Sequence, residues 1–293
     1  MSASSMATKN QVLSLAAGIF IMSGFLINVF IVAVNISKWK KVRPMSTADK
    51  VITSLGISRM VFPVIGLLKV ILYLYFCRLS FLFFVSVMFL EFTCMHSSIW
   101  LSTLLSVIFC LKISALQNAF CLQLKIFVLN RVSHLIMASV MVSVSYALMF
   151  SLLANVDISN NSTQETYNNV LMSLSISSLI FLTTGPFLIN FVSSVLLIIY
   201  LYHHMSRMKS ERNKTSQLDP YYKTIKFTGF SLFCSTVSII FELTYKQSYA
   251  VLGLLGNGFL GQIPPTLHSI YLIYVTAKLR IQVSNMVRFL WRR

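Results

Sequence analysis

Charge is scarce in this sequence: Asp, Glu, Lys and Arg make up 11% of its 293 residues, against about 25% in an ordinary soluble domain. So few polar side chains cannot cover a water-exposed surface, which excludes a soluble globular protein of this length. Acids are scarcest, with 7 Asp+Glu against 24 Lys+Arg, so a paired-carboxylate mechanism has few candidates. No Gly-x-Ser-x-Gly, His-Glu-x-x-His or glycine-rich phosphate loop is present, so no catalytic set and no cofactor are expected. The five cysteines (Cys77, Cys94, Cys110, Cys121 and Cys234) show no Cys-x-x-Cys or metal spacing. They are expected mostly as small buried hydrophobes, and no metal site is expected. Low-complexity runs and internal repeats are also missing.

What fills the chain is apolar: 56% of the residues are hydrophobic, and they fall in long runs. The pattern predicts an all-α, seven-transmembrane bundle forming a single membrane domain. The spans are expected near residues 12–37, 48–75, 81–113, 134–154, 176–205, 224–245 and 251–276, followed by a tail over 277–293. Pro63, Pro186 and the Pro264-Pro265 pair fall inside predicted helices and mark kinks. The link 114–131 has a mixed apolar face and is expected to hold a short interfacial helix. The tail, basic with Phe289 and Trp291, is expected to lie on the membrane lipid of the inner leaflet. The apolar run from Val12 is too long for a cleaved signal peptide and is expected to serve as both first span and targeting signal.

A strongly basic chain, here at formal charge +17, can signal nucleic acid. In this chain the basic residues sit between the apolar runs, so no nucleic-acid partner is expected and topology explains them better. Nineteen of the 24 Lys+Arg fall in the first, third and fifth links and the tail; only Lys9, Lys69, Arg78 and Lys246 fall on the opposite side. This bias places the N-terminus outside and the C-terminus in the cytosol of a multi-pass membrane protein, and the plasma membrane is its expected location. Overlapping sequons at Asn160 and Asn161 lie in the one slightly acidic link, which this topology puts outside, and make it a glycosylation candidate.

Three charged residues lie well inside apolar runs: Arg59, Glu91 and Glu242. An ionised side chain at mid-membrane costs about 2.5–3.5 kcal/mol on insertion scales, so each is expected to face the bundle interior with a partner or a task. Asn28 should lie at the depth of Arg59, and a polar tie between the first two helices is expected there. Glu91 and Glu242 fall in the outer halves of their helices, where they could ring a vestibule. Glu242 has a plainer reading too, snorkelling to the interface beside Lys246. His96 is about 140° round the helix from Glu91, which disfavours a shared metal site. His203 and His204 read as interfacial histidines.

Taken in order, the short motifs resemble those of the bitter taste receptors (type 2 taste receptors), a family of G-protein-coupled receptors. They are Asn28 in Gly24-Phe25-Leu26-Ile27-Asn28; Leu55-Gly56-Ile57-Ser58-Arg59; and His96-Ser97-Ser98-Ile99-Trp100 with Leu105, closing in Leu111-Lys112-Ile113. Further on come Pro186-Phe187; Leu201 with His204 and Met208; Asp219-Pro220; His268-Ser269 after Pro265; and Ala277-Lys278-Leu279-Arg280. The chain also lacks Asp-Arg-Tyr after the third span, Asn-Pro-x-x-Tyr in the seventh, and a cysteine in 155–169, all usual in rhodopsin-like receptors.

The resemblance implies a receptor for a small-molecule agonist, coupled to a heterotrimeric G protein of the gustducin/Gi type. It implies a ligand pocket among the third, fifth, sixth and seventh spans, with Glu91, Phe92, Met95, His96 and Glu242 as candidate lining. Glu91 makes a cationic agonist a candidate. Asn28, Arg59, Trp100, Leu105, Pro186, His268 and Ser269 are expected in structure and activation, and Lys112, His204 and Met208 near the G protein. A vomeronasal type 1 pheromone receptor is the nearest alternative. A small multipass transporter is the alternative from another class, although its paired broken helices have no counterpart in the proline positions here.

Overall fold

In lipid a backbone must satisfy its own hydrogen bonds, so long apolar runs fold as helices. The computed structural model describes residues 3–41, 45–75, 81–114, 119–158, 165–210 and 218–291. Side chains are described chiefly over 18–37, 45–68, 85–114, 122–149, 182–208, 218–241 and 260–289. The described helices are α1 (Ala3–Lys41), α2 (Thr47–Tyr75), α3 (Phe81–Ile113), α4 (Ala119–Asn130), α5 (Val132–Ile158), α6 (Glu165–Ser210), α7 (Asp219–Leu243), α8 (Tyr245–Val275) and α9 (Ala277–Trp291). The seven predicted spans correspond in order to α1, α2, α3, α5, α6, α7 and α8. Among the described residues six of these are long and apolar enough to cross a membrane. The seventh, α8, has 31 residues, about 46 Å of rise.

Helix ends and membrane ends differ. α6 has 46 residues, about 69 Å, more than twice the roughly 30 Å hydrocarbon core. It starts at Glu165 rather than near 176, because a polar stretch such as 165–175 can stay helical in water. α7 likewise starts at Asp219 rather than 224: Pro220 suits a first helical turn, where its missing N–H is not needed. At the start of α2 the Ser46 hydroxyl accepts the Asp49 amide at 3.1 Å, an N-cap. The link read as a short interfacial helix holds α4, which buries Val128 and exposes Leu124, Ile126 and Phe127.

α3 is the axis of the bundle. Two thirds of its span is buried, 67%, against 28% for α1 and for α5. It packs on α2, α5, α6 and α7, while α8 closes the ring between α1 and α7. Large apolar side chains such as Leu26, Met137, Met141, Phe233 and Ile240 point outward, as they must where the surroundings are lipid. The main core cluster includes Ile31, Val51, Leu55, Leu105, Ile108, Phe227 and Leu272. It fills the half of the bundle nearer the Lys- and Arg-rich links, here called the basic face; the opposite end is the N-terminal face. Lys278 at the start of α9 donates to Asn35 Oδ1 at 2.7 Å and lies 3.5 Å from Asp49 Oδ2, tying α9 to α1 and α2.

Two glycines let helices approach. A Cβ on Gly24 would stand 2.5 Å from Thr266 Oγ1 of α8, and one on Gly56 would stand 2.8 Å from Val32 Cγ2 of α1. Thr266 is buried and has little room to yield. Gly24→Ala is therefore expected to destabilise the protein by about 1–3 kcal/mol through overpacking, read as a lower melting temperature after purification.

Candidate functional site

Five helices meet at Arg59. Its Nε donates to Ser98 Oγ of α3 at 2.9 Å, and its Nη1 donates to Ser269 Oγ of α8 at 3.0 Å. Nη1 also lies 2.9 Å from His268 Nδ1. A guanidinium is a donor only, so Nδ1 must accept, which leaves the His268 proton on Nε2. That nitrogen then donates to Ser231 Oγ of α7, 2.9 Å away. Ser269 Oγ donates onward to Asn28 Oδ1 of α1 at 2.9 Å, and Asn28 Nδ2 donates to the Gly24 carbonyl at 2.8 Å. The expected tie between Asn28 and Arg59 is thus indirect, with Ser269 as its middle link. Asn28, Arg59, His268 and Ser269 are all buried.

The local sequence explains this convergence. On α3, Glu91, Met95, Ser98 and Ser102 follow at spacings of four, three and four, one stripe of a helix. Ser98 meets Arg59 of α2, and Met95, Ser98 and Ser102 border cavities that α7 and α8 also line. On α8, His268 and Ser269 are adjacent, so one turns toward α7 and the other toward α1. Below the hub, Phe227 of α7 sits 5.7 Å from the His268 ring, stacks on Tyr271 and meets Phe109 of α3 edge-on. An aromatic column therefore runs from the hub toward the basic face.

Beside the guanidinium lies a cavity of about 20 Å³, lined by Arg59, Ser98, Ser102, Cys234, Ser235 and His268 among others, room for roughly one water. A second cavity of about 20 Å³ continues toward the N-terminal face. Phe62, Met95, Phe241, Gly261 and Pro265 bound it, and Arg59 and Ser98 are shared by both. The walls therefore come from α2, α3, α7 and α8.

The candidate pocket residues do not all share this space. Met95 lines the outer cavity. Glu91 is buried one turn above it on the same stripe. Phe92 and His96 sit on another face of α3, toward α5. Phe92 packs with Tyr146 and Ala147. The His96 ring stacks on Tyr146 at 4.0 Å, and His96 Nε2 accepts from Trp100 Nε1 at 3.1 Å. The Glu242 side chain, and Asn160 and Asn161 altogether, lie outside the described residues.

Of the residues expected in structure and activation, Leu105 is in the core cluster. Thr103 Oγ1 of α3 donates to the Pro186 carbonyl at 3.2 Å, joining α3 to the proline-bearing turn of α6. Toward the basic face, His204 Nε2 lies 3.3 Å from Tyr221 Oη, linking α6 to α7. Met208 is half-buried on α6, and Lys112 is exposed in the last turn of α3. Among the described residues no group of three His, Cys, Asp or Glu is placed to hold a metal.

Sequence reading missed Ser231, Ser102, Ser235, Phe62, Phe241 and Tyr146. Hydropathy gives a residue's depth, but several serines share one depth and only the azimuth of each helix selects those that converge.

Residues 6–291 match the family model described as taste receptor protein (TAS2R). The chain is 30% identical over 211 residues to taste receptor type 2 member 4 of Homo sapiens, covering 67% of each chain. It is 28% identical over 289 residues to the protein of that name from Gorilla gorilla gorilla, covering 91% of this chain and 93% of the relative. In fold it is similar to the crystal structure of squid rhodopsin, with TM-score 0.62 and 14% identity, over 95% of this chain and 85% of that one.

Proposed function

The chain belongs to the taste receptor protein (TAS2R) family, a family of G-protein-coupled receptors, and from this premise we propose that it detects small bitter molecules outside the cell and activates a heterotrimeric G protein of the gustducin/Gi type. In this reading the protein sits in the plasma membrane with its N-terminal face outside and its basic face in the cytosol, as the bias of Lys and Arg favours. The family membership favours this reading over a vomeronasal type 1 receptor or a small transporter.

The observation that carries the reading is the family match over residues 6–291; the outer cavity that ends on the Arg59 hub, water-sized as it stands, marks where an agonist would part α2, α3, α7 and α8. An agonist enters from the N-terminal face past Glu91 and packs on Met95, Phe62 and Phe241. An amine on the agonist is drawn to the Glu91 carboxylate, since opposite charges attract strongly where the dielectric is low. The agonist shifts the bundle only by its differential affinity for two arrangements. The hub supplies an element that two arrangements would have to share out, because it joins α1, α2, α3, α7 and α8 through only a few hydrogen bonds. A movement of α7 relative to α8 would pass through His268, Phe227 and Tyr271 to the basic ends of α3, α6 and α7. Lys112, His204 and Met208 are there, where a G protein would dock.

The test is a calcium response in cells carrying a gustducin-type chimeric G protein, against a panel of amine-bearing bitter compounds. A dose-dependent response is expected. Met95→Phe fills the outer cavity and is expected to raise the half-maximal concentration at least tenfold, about 1.4 kcal/mol, at unchanged surface level. An unchanged dose curve in that variant would move the agonist elsewhere.

A further inference from the structure

Arg59 carries a full positive charge into the middle of the bundle, and no described acid pairs with it. The ion pairs described elsewhere, Lys223–Asp219 and Lys278–Asp49, lie at the basic face, and even Asp49 of α2 is about 15 Å of helical rise from Arg59. The hub partners of Arg59 are two hydroxyls and an imidazole that accepts through its unprotonated nitrogen. Glu91 is an acid on the α3 stripe, but it stands seven residues before Ser98, about 10 Å of helical rise away. A buried charge that no described acid compensates is strongly unfavourable.

The cavity beside the guanidinium shows where compensation belongs. Arg59 Nη2 makes no hydrogen bond to any described residue. The hydroxyls of Ser102 on α3 and Ser235 on α7 also make none, although both residues are buried, at 4% and 7% exposure, and both line the same cavity. The Cys234 thiol lines it too and adds a weak donor. Buried polar groups normally find partners; Arg59 Nη2 can only donate, and both hydroxyls can turn their protons to the same point, so an accepting occupant suits this space. Water would satisfy some of these donors and would leave the charge. A small anion answers both.

We propose that this cavity is an anion site that takes a chloride-sized monovalent ion, held by Arg59 Nη2 and the Ser102 and Ser235 hydroxyls. The ion reaches the site through the outer cavity, with which the site shares Arg59 and Ser98. Bound there, it cross-links α2, α3 and α7 beside the hydrogen bonds of the hub. The site is independent of which agonist the receptor takes.

The full-length protein, purified into nanodiscs of zwitterionic lipid, tests this by thermal unfolding in sodium chloride, bromide or gluconate at equal ionic strength. Chloride and bromide are expected to raise the melting temperature by about 3–5 °C over gluconate, the shift for a roughly tenfold excess over Kd, and to do so saturably. The double variant Ser102→Ala/Ser235→Ala leaves the hub bonds of Arg59 in place. Its half-saturating chloride concentration is expected to rise at least tenfold. Equal melting temperatures in all three salts would overturn the site, leaving water in the cavity. An unaltered chloride response in the double variant would overturn it as well. Should that variant fail to fold, broadening of the chloride NMR line by the parent protein, reversed by bromide, is the expected result; no broadening would refute the site.

Discussion

Arg59→Ala is expected to lower the melting temperature by about 6–12 °C and to keep most of the protein from the cell surface. The guanidinium supplies donors to Ser98, His268 and Ser269 at 2.9–3.0 Å. Removing it strands His268 Nδ1 and unlinks Ser269 from α2, and a buried polar group left without its partner costs about 1–3 kcal/mol. Losing the buried charge returns part of this, because desolvating a guanidinium is itself costly. A net loss of about 3 kcal/mol then remains, at roughly 2–4 °C per kcal/mol for a protein of this size class. Thermal unfolding and surface labelling read both effects. A double-mutant cycle with His268→Ala is expected to give a coupling of about 1.5–3 kcal/mol, the range for a charged hydrogen bond. Zero coupling would mean that Arg59 and His268 do not act as a pair in the membrane.

Glu91→Gln is expected to raise the half-maximal concentration of amine-bearing agonists at least tenfold and to leave neutral agonists within about twofold. Glu91 is buried at 6% exposure, one helical turn above the cavity-lining Met95. Gln keeps the shape and the hydrogen-bonding reach but removes the charge, so the difference between the two agonist classes isolates the electrostatic part. Tenfold corresponds to about 1.4 kcal/mol, a modest share of what a close opposite charge yields at low dielectric. Equal losses for both classes would show that the carboxylate holds the helix rather than the ligand. No loss for either would remove Glu91 from the pocket.

The order of the spans and the prolines inside helices follow from rules that read along the chain, and much of the bundle is legible there. The third span was read as 81–113, and α3 spans Phe81–Ile113; the second was read as 48–75, and α2 spans Thr47–Tyr75. Here the apolar run and the helix end together. α1 begins at Ala3 and α6 at Glu165, well before their apolar runs, because hydropathy marks where lipid ends and says nothing of where a helix in water stops. The same limit applies at the hub. Burial of charge singled out Arg59, and its depth suggested Asn28. That Ser269 stands between them depends on how α8 is rotated about its axis, which hydropathy does not give. Phe92 and His96 lie near Glu91 in sequence, yet they turn toward Tyr146 of α5. A helix of 3.6 residues per turn separates neighbours by about 100°, so adjacency in sequence is a poor guide to a shared pocket.

Reconstitution would decide whether an agonist drives a G protein through this bundle without help from other cellular components. The full chain in nanodiscs, mixed with purified gustducin-type heterotrimer, would be followed by the rate of nucleotide exchange with and without an amine-bearing bitter agonist. Exchange is expected to accelerate with agonist in a saturable way, and to lose that acceleration when Met95→Phe fills the outer cavity. Exchange that is the same with and without every agonist of the panel, in protein shown to be folded by its melting transition, would contradict the receptor mechanism argued from the cavity and the hub.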